Sequence, residues 1–167
     1  TTVKDSFSFY IAPATNVAPL PSGAIEGLNY NPNNTAVTLV LFAPGKNNVV
    51  AIGDFSGWAN QCTYQMNKTP DGNYFWITLT GLTPGQEYGY QYLVDNTIRT
   101  ADPYTQKVLD PDDQFINATT YPNLKPYPTG LTTGQVGIIQ TAEPQYTWQV
   151  NNFVKPDKKN LMVYELL

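Results

Sequence analysis

Apolar and polar residues alternate in several short stretches of this 167-residue chain. Successive side chains of a strand point to opposite faces, so such alternation predicts strands with one buried face. The pattern is strict in "YFWITLT", where Phe75, Ile77 and Leu79 share one face, and it recurs in "EYGYQYLVD". The continuous apolar run at residues 49–53 predicts a fully buried strand.

Turn signals separate these stretches, among them "PGKNN", "PDGN" and "GLTPGQ". Short strands with turns at this spacing are typical of an antiparallel β-sandwich, and no stretch has the 3.6-residue period of a helix. The predicted strands cover residues 36–42, 49–53, 61–66, 74–80 and 87–95.

The pattern changes at both ends of the chain. Residues 1–26 read as the end strand of a preceding domain, with Phe7, Phe9 and Ile11 on one face, followed by a proline-rich linker. Regularity fades after residue 118, so we predict an extended connector over 119–160, with short strands at "GQVGIIQ" and "YTWQV". The apolar run at 161–167 predicts the first, buried strand of a following domain.

Composition removes most classes of chemistry. A net charge of −4 argues against nucleic acid as a partner. The absence of histidine removes imidazole acid–base chemistry, the Ser-His and Cys-His nucleophiles and imidazole metal ligands. Cys62 is the single cysteine and forms no intrachain disulfide, and no apolar run is long enough for a membrane span. We therefore predict no cofactor, no metal site and no catalytic residue in this chain.

Five segments occur in the order and spacing of a known domain: "LVLFAP", "VVAIGDFSGW", "PDGNYFWITLTGLTPGQEYGYQYLVD", "TADPY" and "LMVYELL". Together they resemble the N-terminal early-set, immunoglobulin-like domain of alpha-amylase-family glycoside hydrolases (family 13), which is similar to carbohydrate-binding module 48. The resemblance implies an early-set sandwich over residues 27–118. It also implies that 161–167 is the first strand of a truncated (β/α)8 catalytic barrel.

The resemblance implies two carbohydrate-binding residues. Trp58 falls where related modules stack a tryptophan on glucose rings, an arrangement suited to the apolar C–H face of a sugar. Gln91 falls where those modules have a lysine, and Ile98 replaces a second tryptophan. The alternative for Trp58 is packing onto the sandwich or onto the barrel.

Other candidate residues have simpler explanations. Tyr74 and Trp76 lie opposite the apolar face of their strand, and we predict an aromatic patch that packs between domains rather than one that binds sugar. Asp110, Asp112 and Asp113 lack the calcium-loop pattern and read as turn caps around Pro111. Glu165 lies on the implied barrel strand and reads as structural.

These observations predict a non-catalytic module of an enzyme that acts on α-glucans such as starch, glycogen or pullulan. The module would brace the downstream barrel and contact glucan weakly through Trp58. A genuine starch- or glycogen-binding module and an immunoglobulin-like protein-interaction domain remain the alternatives, because fold does not determine function. The function implied by the resemblance suits a secreted or periplasmic protein.

Overall fold

Nine short strands form two antiparallel sheets in the computed structural model, which describes residues 13–166. This architecture confirms the predicted all-β sandwich. The strands are β1 (Gly27–Tyr30), β2 (Ala36–Phe42), β3 (Val49–Gly53), β4 (Asn67–Lys68), β5 (Tyr74–Thr80), β6 (Glu87–Val94), β7 (Ile98–Thr100), β8 (Val108–Leu109) and β9 (Val136–Gln140). Single 3-10 turns occupy Asp54–Ser56, Cys62–Tyr64, Pro111–Phe115 and Lys158–Asn160.

The first sheet has the order β1-β2-β5-β4 and the second the order β3-β6-β9-β8. The central pair of the first sheet is in register along its whole length, from Ala36 opposite Thr80 to Phe42 opposite Tyr74. In the second sheet β6 is the longest strand; it pairs with β3 along one edge and with β9 and β7 along the other.

The main core lies between the two sheets and follows the predicted alternation. From β2 and β5 it takes alternate residues of each strand, and from β6 it takes Tyr90, Tyr92 and Val94. The residues between them point outward, as the period of two requires. The buried side chains of this core are Val37, Leu39, Leu41, Val49, Ala51, Met66, Phe75, Ile77, Leu79, Leu82, Tyr90, Tyr92, Val94 and Ile139.

The second sheet is also covered on its outer face. Val50, Ile52 and Leu93 point away from the main core yet are at most 7% exposed, and Tyr64 packs against them. This double burial explains why β3 is apolar at every position instead of alternating.

The structure corrects three predictions made for the ends and loops. The sandwich extends past the predicted boundary at 118 into the predicted connector 119–160, because β9 lies between β6 and β8. Residues 61–66 form a 3-10 turn at 62–64 and a single bridge at Gln65, because the chain turns there to carry Tyr64 over the sheet. Residues 146–150 are not a strand, since they are paired with no other described strand. That 161–167 is the first strand of a following domain stays a prediction.

The predicted end strand around Phe7, Phe9 and Ile11 lies outside the described residues. Residues 13–26, which belong to the predicted linker, run along the edge of the first sheet. There Ala18 N donates to Lys68 O at 2.9 Å and Lys68 N donates to Asn16 O at 2.8 Å. Within residues 13–166 no helix has the length and apolar character needed to cross a membrane.

One buried carboxylate fixes the position of the loop after β7. Asp102 is 2% exposed, and its Oδ2 accepts hydrogen bonds from Tyr90 Oη at 2.9 Å and Tyr92 Oη at 2.8 Å. Its Oδ1 accepts from the Tyr104 backbone N at 2.8 Å. Burial and the adjacent carboxylate raise the pKa of both phenols, so both stay protonated and donate.

Removing this carboxylate should destabilise the sandwich strongly. In Asp102→Ala both buried phenols lose their acceptor, so we expect the free energy of unfolding to fall by about 3 kcal/mol in urea denaturation. Glu143→Ala, which removes an exposed carboxylate, is the control and should change it by less than about 0.5 kcal/mol. Equal losses in the two variants would contradict this role for Asp102.

Candidate functional site

The loop after β3 turns Trp58 back over the second sheet. Gly57 and Trp58 both have positive φ, 59° and 62°, and Trp58 N donates to Gly53 O at 2.9 Å. A bulky residue rarely adopts this left-handed conformation, so its contacts must hold it there. The indole lies against β6, where a Cβ on Gly89 would come within 3.1 Å of Trp58 Cζ2.

Asp54 connects this loop to its surroundings. Its Oδ1 accepts a hydrogen bond from Trp58 Nε1 at 3.0 Å, and its Oδ2 accepts from Gly89 N at 2.8 Å. Lys125 Nζ lies 3.0 Å from the same Oδ2. The Asp54 side chain thus bonds the indole N–H of Trp58 and the backbone of β6. Through Lys125 it also holds the segment that follows the 3-10 turn at 111–115.

The segment 124–135 covers the outer face of the second sheet. Leu124 and Tyr127 pack on the cluster formed by Trp58, Leu109, Val136 and Ile138. Farther along the segment, Gln91 Nε2 donates to Thr133 O at 2.9 Å and to Gln135 O at 2.6 Å, while Thr132 Oγ1 donates to Gln91 Oε1.

The two predicted sugar-binding residues are therefore both buried, Trp58 at 5% exposure and Gln91 at 1%. Both take part in packing the second sheet, which is the alternative predicted for Trp58. Ile98 lies on β7 and is exposed. The sugar-binding role of Trp58 stays a prediction, and the geometry adds a condition: the segment 124–127 must first move away from the indole.

The predicted aromatic patch lies on the outer face of the first sheet. Trp76 is half-buried, and its Nε1 donates to Ala18 O in the linker at 3.1 Å. The Tyr74 and Phe42 rings lie 5.2 Å apart between centroids. Part of this patch is thus covered by residues 13–26 of the same chain, and its use between domains stays a prediction.

A cleft opens where the linker meets this face, with a volume of about 500 Å³. Glu26 is one of its lining residues, and its Oε1 accepts a hydrogen bond from Tyr74 Oη at 3.2 Å while Oε2 accepts one from Tyr104 Oη. The bond to Glu26 raises the pKa of Tyr104, and desolvation together with the same carboxylate raises the pKa of Tyr74.

Sequence reasoning missed Glu26 and Tyr104 as members of a site. Glu26 occurs in "AIEGL", where nothing distinguishes it from a solvated linker residue, and Tyr104 lies 78 positions later. The segment "TADPY", which contains Tyr104, stood out only as one of the five segments that carry the family resemblance. No sequence signal indicated that the two side chains meet.

Residues 27–105 match the model of carbohydrate-binding module 48, described as the isoamylase N-terminal domain. This span contains strands β1 to β7 and the Trp58 loop, but not β8 and β9. Residues 27–105, somewhat under half of the chain, are thus similar to a carbohydrate-binding module 48 domain. The matched module is of a non-catalytic class, and the absence of catalytic residues from this chain stays a prediction.

Solved structures similar to this chain are bacterial pullulanases and a glycogen-degrading enzyme. The Group B Streptococcus pullulanase SAP in complex with maltotetraose is 16% identical, with a TM-score of 0.41, over 57% of this chain and 13% of its own. The catalytic module of the pneumococcal glycogen-degrading virulence factor SpuA is 21% identical, with a TM-score of 0.41, over 58% and 15%. The pullulanase from Bacillus acidopullulyticus is 25% identical, with a TM-score of 0.36, over 51% and 10%.

This chain therefore aligns with less than one sixth of the length of each of these enzymes. A search of curated protein sequences found no match.

The carboxylates singled out beyond residue 105 have ordinary surroundings. Asp110 Oδ1 accepts from Asp112 N at 3.0 Å and Asp113 Oδ2 accepts from Asp110 N at 2.9 Å, which confirms the predicted turn cap around Pro111. Glu165 is exposed in the C-terminal segment. Within residues 13–166 no three potential metal-ligating side chains come together.

Burial of Trp58 under the segment 124–127 can be tested by fluorescence. The double variant Trp76→Phe/Trp148→Phe keeps Trp58 as its single tryptophan, and we expect blue-shifted emission with little quenching by iodide. The matched variant Trp58→Phe/Trp76→Phe keeps Trp148, which is 69% exposed and should be quenched strongly. Equal quenching of the two would show that the segment 124–127 does not cover the indole in solution.

Proposed function

We propose that this chain is the accessory module of an alpha-amylase-family glycoside hydrolase that acts on α-glucans such as starch, glycogen or pullulan. The observation that carries the proposal is the match of residues 27–105 to a carbohydrate-binding module named for the N-terminal domain of isoamylase. Hydrolysis would take place in a catalytic barrel outside this chain, and the module would brace that barrel.

The C-terminal segment supports the bracing role. Residues 144–166 lie outside both sheets and expose large apolar side chains, although such side chains are normally buried. Tyr146 and Trp148 form an edge-to-face pair with centroids 4.9 Å apart at one end of this segment. A surface of this kind favours packing against a further domain. Its exposed apolar residues are Tyr146, Trp148, Val150, Phe153, Val154, Leu161, Met162, Val163, Tyr164 and Leu166.

Weak contact with the α-glucan itself is the second part of the proposal. The family assignment supports a carbohydrate ligand, whereas nothing in the sandwich favours the alternative of a protein-recognition domain. Because Trp58 is covered in the structure, this contact requires either movement of the segment 124–127 or another site on the domain.

The whole gene product and this chain should differ in activity. We expect the whole product to release reducing ends from pullulan, starch or glycogen, and the 167-residue chain alone to release none. A reducing-sugar assay on the three polymers measures both. Activity of the chain alone, or no activity of the whole product on any α-glucan, would contradict the proposed function.

Bracing predicts an effect that appears only when the barrel is present. In the whole product Tyr146→Ser/Trp148→Ser should lower the temperature at which activity is lost, by several degrees for about 1–2 kcal/mol of lost packing. In this chain alone the same change should leave the melting temperature unaltered, because both side chains are exposed.

Phe115→Ser is the control for the double substitution, because Phe115 is also exposed, at 79%, but lies outside the C-terminal segment. It should change neither temperature. Equal effects of the double variant with and without the barrel would count against bracing through this segment.

A further inference from the structure

The cleft between the linker and the first sheet has two kinds of lining. Leu20, Ala24 and Ile25 supply aliphatic surface, and Tyr74 and Tyr104 supply aromatic rings around the carboxylate of Glu26. Its volume of about 500 Å³ lies within the range of small-molecule sites, about 300–1,000 Å³. A ligand that fits this lining needs both an apolar face and hydroxyl groups.

The carboxylate keeps hydrogen-bonding capacity for such a ligand. An ionised carboxylate accepts about four hydrogen bonds, and the two tyrosine hydroxyls supply one to each oxygen of Glu26. One lone pair on each oxygen therefore remains, and each phenol oxygen can accept as well. Neighbouring acceptors of this kind suit a pair of adjacent hydroxyls on one sugar ring.

Tyr104 supplies the exposed aromatic surface. Its side chain is 54% exposed, and Ile25 beside the same cleft is 71% exposed. Both side chains are thus largely exposed to solvent, so burial in the sandwich contributes little to their placement. An exposed ring next to an aliphatic side chain can take the C–H face of a pyranose ring.

The positions of both residues are fixed by the fold. Asn29 clamps the backbone of Ile25, accepting from Ile25 N at 2.9 Å and donating to Ile25 O at 2.7 Å. Tyr104 is held by its backbone bond to Asp102 and by Gly27, whose φ is +86° and where a Cβ would lie 2.5 Å from Tyr104 Cβ. A cleft that is already formed loses little conformational entropy when it binds.

We propose that this cleft is an α-glucan subsite in which one glucosyl ring stacks on Tyr104 and donates hydroxyl hydrogen bonds to Glu26. The proposal rests on the α-glucan contact proposed above, and it places that contact on the first sheet instead of at Trp58. The proposed ligand is an uncharged sugar: within residues 13–166 Glu26 is the only charged residue that lines the cleft, so the lining has no cationic group for an anionic ligand.

Calorimetric titration of the full 167-residue chain with maltoheptaose tests the proposal. We expect saturable binding that weakens about tenfold in Tyr104→Ala and about threefold in Tyr104→Phe, which keeps the ring but loses the bond to Glu26. Tyr146→Ala is the matched control, since it removes a tyrosine that is 71% exposed outside the cleft, and it should bind as the unsubstituted chain does.

The indole N–H signals of the three tryptophans locate the ligand by NMR. Trp76 Nε1–H bonds Ala18 O, two residues before Leu20 of the cleft, so its signal and the Gly27 amide should shift with maltoheptaose. The Trp58 signal should stay in place. A shift confined to Trp58, with Tyr104→Ala binding normally, would overturn the subsite while leaving the proposed function intact.

Two other results would also overturn the subsite. One is the absence of saturable binding by the unsubstituted chain at millimolar maltoheptaose. The other is binding of tetramethylammonium, lost in Glu26→Gln, with no binding of maltoheptaose, which would make the cleft a cation site. Neither result bears on the activity of the whole gene product, so failure of the subsite and failure of the proposed function can be distinguished.

Discussion

The second sheet is apolar on both faces, and only one of them can pack against the first sheet. The other face must be covered by the chain itself, because Val50, Ile52 and Ile138 would otherwise meet water. Tyr64 packs on Val50 and Ile52. Trp58 and the segment 124–135 cover Ile138 and its neighbours, and Asp54 joins the two by bonding the indole and Lys125. The left-handed backbone at Trp58 and the glycine at position 89 both follow from bringing a large ring so close to β6.

The sequence predicted individual strands well where the signal is the alternation within one segment. The alternation in β5 correctly placed Phe75, Ile77 and Leu79 on one buried face, because a buried face and the period of a strand are properties of one segment. The pairing of β9 is not such a property. Its strand was visible in "GQVGIIQ", but its neighbours in the sheet, β6 and β8, are separated from it by a segment rich in proline and glycine.

The same distinction, between what one segment encodes and what distant segments form together, applies to the candidate site. An aromatic at position 58 is evident from the sequence, whereas its burial depends on residues more than 60 positions later that pack on it. The meeting of Glu26 with Tyr104 depends on the linker folding back over β1, where Gly27 leaves room for the tyrosine. Hydrophobic periodicity and composition contain no information on such contacts. Only the resemblance to a known family indicated a carbohydrate-binding module.

Covering one sheet restricts where a ligand can bind. With the outer face of the second sheet closed by Leu124 and Tyr127, an exposed aromatic surface beside a polar anchor is found on the first sheet, within residues 13–166. The linker covers Trp76 there but leaves the rings of Tyr74 and Tyr104 accessible around Glu26. Trp58, which the sequence suggested as the sugar-binding residue, thus stabilises the fold, and that packing leaves the first sheet as the face on which the proposed glucan contact can form.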